Sequence, residues 1–462
     1  MNNTSCIILA AGEGKRMKTK KSKVLCEVLS KPMISWVIDS CNRSGIDKIC
    51  VVIGHKGEQV SELLGDNIIT AKQKEQLGTG HAVLQAESFL KFSGNEHTLI
   101  LCGDAPFMDD ETIKAAYEFH VSAENAVTVI SARLENPFGY GRIVRSEDGG
   151  LLKIVEQKDA NQDEKAINEV NSGAYWFRTD MLLDVLTKLD NNNSQGEYYL
   201  TDTVSILLKQ GEKAGAFTAQ SNDIVLGAND REGLLLLNQI ATDRIIKKHL
   251  ANGVEFVSLS GVVISPDAKI GCDTKILPGT IITGDSTIGE DCVIGPNSYI
   301  DSSVIEDGAI IKASYVLESK IRAGAKIGPF TQIRPNCDIG ENVKIGDFVE
   351  IKNSIIGKST NVAHLTYIGD SDVGSHVNFG CGCVTVNYDG IKKYRTTIGD
   401  YAFIGCNTNL VAPVKIGDNA YTAAGSTITK DVPNDALAIS RCHQEIKEEW
   451  AIKKCGKRRI EK

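Results

Sequence analysis

From residue 264 to residue 416 a branched aliphatic returns at every sixth position in long runs. The beat passes through Ile264, Ile270, Ile276, Ile282, Ile288, Ile294 and Ile300, then Ile321, Ile327, Ile333, Ile339, Ile345 and Ile351. It resumes at Val362 and Ile368 and again at Ile398, Ile404, Leu410 and Ile416. Gly often follows, as at Ile270-Gly271, Ile288-Gly289, Ile339-Gly340 and Ile416-Gly417. A helix needs a period near 3.6 and a simple strand a period of 2, so neither accounts for six. Short strands joined by tight turns and stacked as a parallel β-helix do. Each coil buries its aliphatics only against the next, so the array must be long. About thirty hexads fit between residues 254 and 440.

The first 228 residues follow another rule. Apolar runs of strand length, such as Cys6–Ala10, Lys48–Ile53 and Thr98–Cys102, alternate with helical patterns. One helix opens at Pro32 with Ile34, Val37, Ile38 and Cys41 on one face, and another starts near Asp110. Such alternation predicts a mainly parallel sheet covered on both faces, with ligands bound beyond the carboxyl ends of the strands. Asp230 to Leu250 reads as one connecting helix. The expected divisions are therefore 1–228, a linker helix 229–250, a repeat domain 251–441 and a tail 442–462.

A formal net charge of −8 argues against non-specific nucleic-acid binding. Thirteen cysteines without a Cys-x-x-Cys pair point to free thiols in a reducing compartment rather than to disulfides or zinc. No apolar stretch reaches the length of a membrane span, and the N-terminal run Cys6–Ala11 is strand-sized rather than leader-like. A soluble cytoplasmic protein without membrane or nucleic-acid partners is expected.

The distinctive residues fall at strand ends. Leu9-Ala10-Ala11-Gly12-Glu13-Gly14-Lys15-Arg16-Met17, with Lys23 beyond, combines small residues that admit a ligand close to backbone amides with cations that neutralise phosphate. Met17 replaces the third Gly of a dinucleotide fingerprint, and no Gly-Lys-Ser/Thr follows, so neither the Rossmann fingerprint nor a Walker loop is present. Thr98–Cys102 runs into Gly103-Asp104, a carboxylate at a strand tip where magnesium can be held. An isolated Asp there would more commonly be a turn or cap; the neighbouring cationic loop favours the metal.

These motifs resemble the signature of sugar-nucleotide pyrophosphorylases. Gln73–Gly80, Gly103-Asp104, Gly139-Tyr140-Gly141-Arg142, Glu156, Asn171-Ser172-Gly173 and Gln195–Tyr199 extend the likeness. Together with the hexads and His364-Leu365-Thr366-Tyr367-Ile368-Gly369-Asp370, the chain resembles the bifunctional N-acetylglucosamine-1-phosphate uridyltransferase / glucosamine-1-phosphate acetyltransferase family over residues 5 to 445. The resemblance implies a Rossmann-like α/β nucleotidyltransferase domain, a left-handed parallel β-helix and a homotrimer assembled through that helix. It implies that Leu9, Ala10, Ala11, Gly12, Gln73, Gly78 and Thr79 hold the uridine nucleotide. Arg16 and Lys23 would stabilise the triphosphate, Asp104 and Asn229 would bind Mg²⁺, and Gly141, Glu156 and Asn171 would hold the sugar. UTP and acetyl-CoA are the implied co-substrates.

In the repeat domain the resemblance makes His364 a base oriented by Glu350, acting while a glucosamine amine attacks acetyl-CoA. Imidazole titrates near neutral pH, which suits that task. Arg334 and Lys352 would grip the sugar phosphate, with Tyr367 and Asn378 on the sugar and Asn387 and Tyr388 beside them toward the acetyl-CoA. Cys381, Cys406, Ala424 and Arg441 match the remaining acetyl-CoA positions. Asn387 and Tyr388 lie in an insertion from about Val386 to Thr397, where the beat lapses. The basic tail, Lys453, Lys454, Lys457, Arg458 and Arg459, reads as a solvated end, with a CoA-phosphate contact as the alternative. Lys15, Ser22, Cys381, Cys406 and Cys442-His443 depart from the family pattern without removing a charged or basic group. Two competing readings are a monofunctional pyrophosphorylase with a regulatory β-helix and a non-catalytic exchange-factor scaffold. The first lacks a base like His364; the second predicts erosion of Arg16, Lys23, Asp104 and His364, all of which are present.

Overall fold

Strand β1 (Thr4–Ala10) is enclosed on both faces, as its apolar run from Cys6 to Ala10 requires. β2 (Ile49–Ile53) pairs parallel to one side of it, with β3 (Ile69–Lys72) beyond, and β4 (His97–Cys102) pairs parallel to the other. Alternate residues feed two cores: Ile8, Val51 and Leu99 enter one, and Ile7, Val52 and Ile100 enter the other. Helix α1 (Met33–Arg43) buries Ile34, Val37, Ile38 and Cys41 in the first core. Helix α2 (Asp110–Ser122) starts where the Asp109 carboxylate accepts from the Thr112 amide at 2.7 Å. A computed structural model describes Met1 and residues 3–455, which divide into one compact unit of Met1–Asp243 and another from Arg244 onward. The tail residues Lys457, Arg458 and Arg459 lie outside the described residues, and Lys453 and Lys454 are exposed.

The sheet is mixed where the sequence predicts a mainly parallel one. After β5 (Val127–Arg133) comes a hairpin, β6 (Arg142–Arg145) and β7 (Leu151–Val155), and then β8 (Glu169–Arg178), antiparallel to both β4 and β5. Residues 156–168, with one four-residue helix (Gln162–Lys165), join β7 to β8, which returns antiparallel to its neighbours. With β9 (Ala214–Thr218) at the edge, the order is β9-β5-β8-β4-β1-β2-β3.

From residue 255 on, every pairing between named strands is parallel, within sheets of eleven, ten and nine strands. Up to the last pair, Tyr421–Thr422 with Leu437–Ala438, each strand pairs with the third one along, so three hexads make a coil: Lys275–Ile276 pairs with Val293–Ile294, which pairs with Ile310–Ile311. Ile276, Ile294, Ile311, Ile327, Ile345 and Val362 thus form one buried internal ladder. Corners take left-handed backbone, with φ of 52° at Asn297 and 55° at Asn342. Between Ile300 and Ile321 the coil does not lapse: Ile305, Ile311 and Val316 are buried, and the steps to Ile305, Val316 and Ile321 are five residues because a turn can shed one. Helix α3 (Arg231–Ala251) carries the division between the units inside it.

Candidate active sites

Parallel strands bring their carboxyl ends to one edge of the first unit. Ala11-Gly12 follows β1, Gln73 follows β3 and Gly103-Asp104 follows β4. Because β8 runs the other way, its start, with Asn171 opposite Ser131, reaches the same edge. A cleft of about 470 Å³ opens there, and Leu9, Ala10, Ala11, Gly12, Arg16, Lys23, Gln73, Gly78, Thr79, Asp104 and Asn229 all line it. Gly14 has φ 61°, and a Cβ on it would stand 2.8 Å from the Lys23 Cβ, so the glycine lets Lys23 pass beneath the loop. The Lys23 ammonium donates to Asn229 Oδ1 at 2.8 Å and pairs with Asp104 Oδ2. Arg16 is exposed on the rim, and Lys15 pairs outward with Glu13 at 2.5 Å.

Gln73 is almost fully buried. Its Nε2 donates to the Gly78 carbonyl at 3.2 Å and meets His81 Nδ1 at 3.0 Å, which leaves Oε1 as the group it can offer. Gly78 has φ 110°, and a Cβ there would come within 2.6 Å of the Tyr198 carbonyl. That contact and the Gly80 amide donating to Tyr198 O at 2.8 Å bind the Gln195–Tyr199 segment to the cleft wall.

Asp104 Oδ2 and Asn229 Oδ1 reach one common cationic group, so they share a locus. Two hard oxygen donors suit Mg²⁺ completed by phosphate oxygens and water, and the residues fit that ion. Among the described residues no cluster of three or more His, Cys, Asp or Glu could hold a metal unaided.

Gly141, Glu156 and Asn171 form a group of their own. The Asn171 amide donates to Gly141 O at 2.9 Å, and a Cβ on Gly141 would lie 3.5 Å from Glu156 Oε1 and 3.6 Å from Asn171 Cβ. Burial pushes the Glu156 carboxyl above its ordinary range, helped by the charges of Asp159, Asp202 and Glu197 and opposed by the Thr201 hydroxyl donating at 3.2 Å. Asn171 donates to the Tyr175 hydroxyl at 2.6 Å. A bulge between Asn171 and Ala174 turns that side chain toward the edge, and Gly173 in it packs on Cys102 Sγ. Burial first, and then the charge of Asp104, pushes the Cys102 thiol up to about 12. Tyr140 is pushed up by burial and by the same Asp104, so this group adjoins the cleft.

In the second unit the pairing register explains the site. Asp347 pairs with His364, and two residues beyond the paired Phe379, Ile404 and Thr422 stand Cys381, Cys406 and Ala424. These residues share one column, each just before a corner of positive φ: Phe348, Leu365, Gly382, Asn407 and Gly425. His364, Cys381, Cys406 and Ala424 are all exposed along it. His364 Nδ1 lies 2.9 Å from Asp347 Oδ1, an interaction that holds the Asp347 carboxyl below its ordinary range.

Glu350, expected to orient His364, is bonded elsewhere. The Phe348 corner turns the chain onto the next sheet, where Glu350 pairs with Gln332 and Tyr367 and accepts from Arg334 Nη1 at 2.8 Å. The carboxylate on His364 is Asp347. Arg334 and Lys352 lie at matching ends of adjacent strands, and Lys393 from the insertion stands so close that its hydrogen-bonding contact, and then its charge, pull the Lys352 pKa down. The Tyr367 hydroxyl reaches over Gly369, where a Cβ would also meet Asn387 Nδ2 at 2.8 Å. Asn387 is buried and bonded to Asp370, which also takes Asn353. Asn378 lies half-buried on the neighbouring sheet with His364's strand, Tyr388 is exposed and donates to Gly390 O at 2.7 Å, and Arg441 is exposed just past the last coil.

Sequence reasoning overlooked Asp347 and Lys393. Asp347 was readable as the residue one coil before His364; Lys393 was not, since only the folded insertion brings it to Lys352.

A Nucleotidyl transferase family model matches residues 5–227, and a Bacterial transferase hexapeptide (six repeats) model matches 267–302, 318–353 and 395–430. The chain is 52% identical to the bifunctional protein GlmU of Acetivibrio thermocellus over 97% of each chain. It is 50% identical to the protein of that name from Caldanaerobacter subterraneus subsp. tengcongensis over the full length of both. The Clostridium botulinum protein of that name is 51% identical over 97% of this chain and 98% of its own.

Proposed function

This chain belongs to the family of bifunctional GlmU proteins, and we propose that its two units carry out successive steps in making UDP-N-acetylglucosamine. The second unit acetylates glucosamine 1-phosphate with acetyl-CoA, releasing CoA. The first unit transfers UMP from UTP to the N-acetylglucosamine 1-phosphate so formed, releasing pyrophosphate. The observation that carries the bifunctional reading is the His364–Asp347 pair in the repeats, because a monofunctional pyrophosphorylase has no use for it.

For acetyl transfer, Arg334, Lys352 and Lys393 offer three cationic groups for the sugar phosphate, with Tyr367 and Asn378 toward the ring. The amine nitrogen attacks the thioester carbonyl as CoA leaves, and His364 takes the amine proton at Nε2 while Asp347 occupies Nδ1. Asn387, Tyr388, Cys381, Cys406, Ala424 and Arg441 serve the acetyl-CoA, the column giving that extended cofactor a path along successive coils. For uridyl transfer, the sugar-phosphate oxygen attacks the α-phosphorus of UTP in line, and no protein nucleophile is required. Mg²⁺ on Asp104 and Asn229 would neutralise phosphate charge. Lys23, which lies against those two oxygens, would serve the triphosphate beside Arg16. Leu9 to Gly12, Gln73, Gly78 and Thr79 hold the nucleotide, and Gly141, Glu156 and Asn171 hold the sugar.

A homotrimer is the assembly we infer. Phe330 and Phe348 stack with ring centroids 5.5 Å apart, and with Leu365 they form an exposed apolar corner next to His364. Contact with a second copy would cover it; sedimentation of Phe348→Glu should give a smaller species than the parent. A cytoplasmic site of action accords with the twelve free cysteines among the described residues and with the absence there of any helix long and apolar enough to cross a membrane. The functional test combines glucosamine 1-phosphate, acetyl-CoA, UTP and Mg²⁺, with free CoA and UDP-N-acetylglucosamine both expected. CoA release without the nucleotide sugar, or neither product, would overturn the reading.

A further inference from the structure

Arg142 is the anomaly of the first unit. Its side chain is among the largest fully buried ones, at 1% exposure, and no carboxylate pairs with it among the described residues. Its Nε has no hydrogen-bond partner among the described residues. A buried cation without a counter-charge is expensive, and a well-packed apolar residue of similar size would serve stability alone at least as well. Its side-chain hydrogen bonds join two segments. Nη1 donates to the Tyr140 carbonyl, and Nη2 donates to Gln157 Oε1 at 2.8 Å. The same Gln157 oxygen accepts the Gly139 amide at 3.1 Å. The guanidinium fork therefore closes residues 139–141 onto the chain just past β7, which is also where Glu156 sits.

That loop has two functional ends. Gly141 is wedged against Glu156 and Asn171, and the Tyr140 ring lies within electrostatic reach of Asp104. A planar fork with two fixed donors sets such a loop more tightly than a single flexible ammonium can.

We propose that Arg142 is a positioning residue for uridyl transfer, fixing the 139–141 loop so that Gly141, Glu156 and Asn171 meet the sugar of the acceptor. The inference rests on the sugar role given to those three residues. Arg142 touches no substrate; it acts through the loop.

The test uses the full-length protein with Arg142→Lys, Arg142→Met and Gln157→Leu. The KM for N-acetylglucosamine 1-phosphate should rise about tenfold or more in Arg142→Met and less in Arg142→Lys, since an ammonium keeps the charge and donors but not the rigid planar fork. Gln157→Leu should move the same way. The KM for UTP should stay within about twofold of the parent, and acetyl transfer, in the other unit, should be unchanged. An unaltered ratio of the two KM values in Arg142→Lys and Gln157→Leu would overturn the proposal, even if Arg142→Met failed to fold. So would losses in both KM values and kcat that simply follow a lowered Tm, which is the mark of a purely structural role. Glu156→Gln and Asn171→Ala form a separate arm. If they leave the sugar KM untouched, the sugar assignment falls and the proposal with it. If they raise it while the Arg142 variants do not, only the positioning role falls.

Discussion

Replacing Asp104 with Asn separates charge from shape at the uridyl-transfer cleft. The amide keeps an oxygen at the strand tip and a partner for Lys23, which retains Asn229 Oδ1 at 2.8 Å. The change removes one negative charge from the place where Mg²⁺ and the triphosphate meet. Two unit charges about 4 Å apart interact by about 4 kcal/mol at an effective dielectric near 20. The Asp104 side chain is 28% exposed in an open cleft, so water screens part of that, and about 2–4 kcal/mol is the working range. Uridyl transfer should therefore fall roughly 30- to 1,000-fold in kcat/KM, with more magnesium needed for half-maximal rate. Pyrophosphate release from UTP and N-acetylglucosamine 1-phosphate across a magnesium series measures both effects. CoA release from glucosamine 1-phosphate and acetyl-CoA, in the same preparation, should match the parent because that chemistry lies in the other unit. Uridyl transfer within threefold of the parent would refute the metal role of Asp104. A parallel loss of CoA release in folded protein would refute the independence of the two sites.

His364→Ala should lower acetyl transfer by about 10²–10⁴ and leave uridyl transfer alone, as CoA and pyrophosphate assays would report. Asp347→Asn should cost roughly ten- to a hundredfold by loosening the imidazole, whereas Glu350→Gln should act through Arg334 and appear in the KM for the sugar phosphate. Alkylation should block acetyl transfer before uridyl transfer, with protection by acetyl-CoA, because Cys381 and Cys406 are exposed while the Cys102 thiol sits at about 12. Equal loss in a Cys381→Ala, Cys406→Ser double variant would exonerate those thiols. His120 is fully buried beside Thr128 and His97, and burial, with His97 adding to it, drops its pKa to about 3. The unfolded chain takes up that proton first, so the stability is complete above about pH 6.5 and drains as pH falls toward 3, about 2 kcal/mol of it between pH 7 and 5. Urea unfolding followed by Trp176 fluorescence should show a shallower pH slope in His120→Leu; an unchanged slope would disprove the linkage.

The parts of this molecule that were legible in the sequence are those where a local rule and the fold agree. β1, β2 and β4 were visible as apolar runs, and the strand-tip positions of Gly12 and Asp104 followed from them. The antiparallel β8 was not visible, because the strand pattern of Glu169–Arg178 carries no direction of its own and only its pairing with β4 and β5 sets one. That reversal delivers Asn171 to the edge. In the repeats, the strict beat located the coils, but counting in sixes lost Ile305, Ile311 and Val316, because the steps into Ile305 and Val316 are one residue shorter. The same slip hid Asp347, which stands 17 residues before His364 rather than a full 18.

The corner column also accounts for where the chemistry could be accommodated. Inside each coil, Ile345, Val362, Phe379, Ile404 and Thr422 form the packed ladder and are at most 4% exposed. Two residues further along, the backbone is about to take positive φ at the corner and the side chain projects outward, so little packing depends on its identity. Asp347, His364, Cys381, Cys406 and Ala424 occupy those outward positions at successive coils, spaced by about 4.8 Å each. A hydrogen-bonded Asp347–His364 pair spanning two levels and thiols at the next two therefore perturb no core contact. A thiol in place of Ala or Ser there leaves the solenoid intact, and its effect must be sought in what runs along the column. On that reasoning Cys381, one coil from His364, should influence acetyl transfer more than Cys406, two coils away. Single alkylatable variants, Cys406→Ser and Cys381→Ala, should rank in that order of sensitivity, and the reverse ranking would mean that the acetyl group lies further along the column than the base.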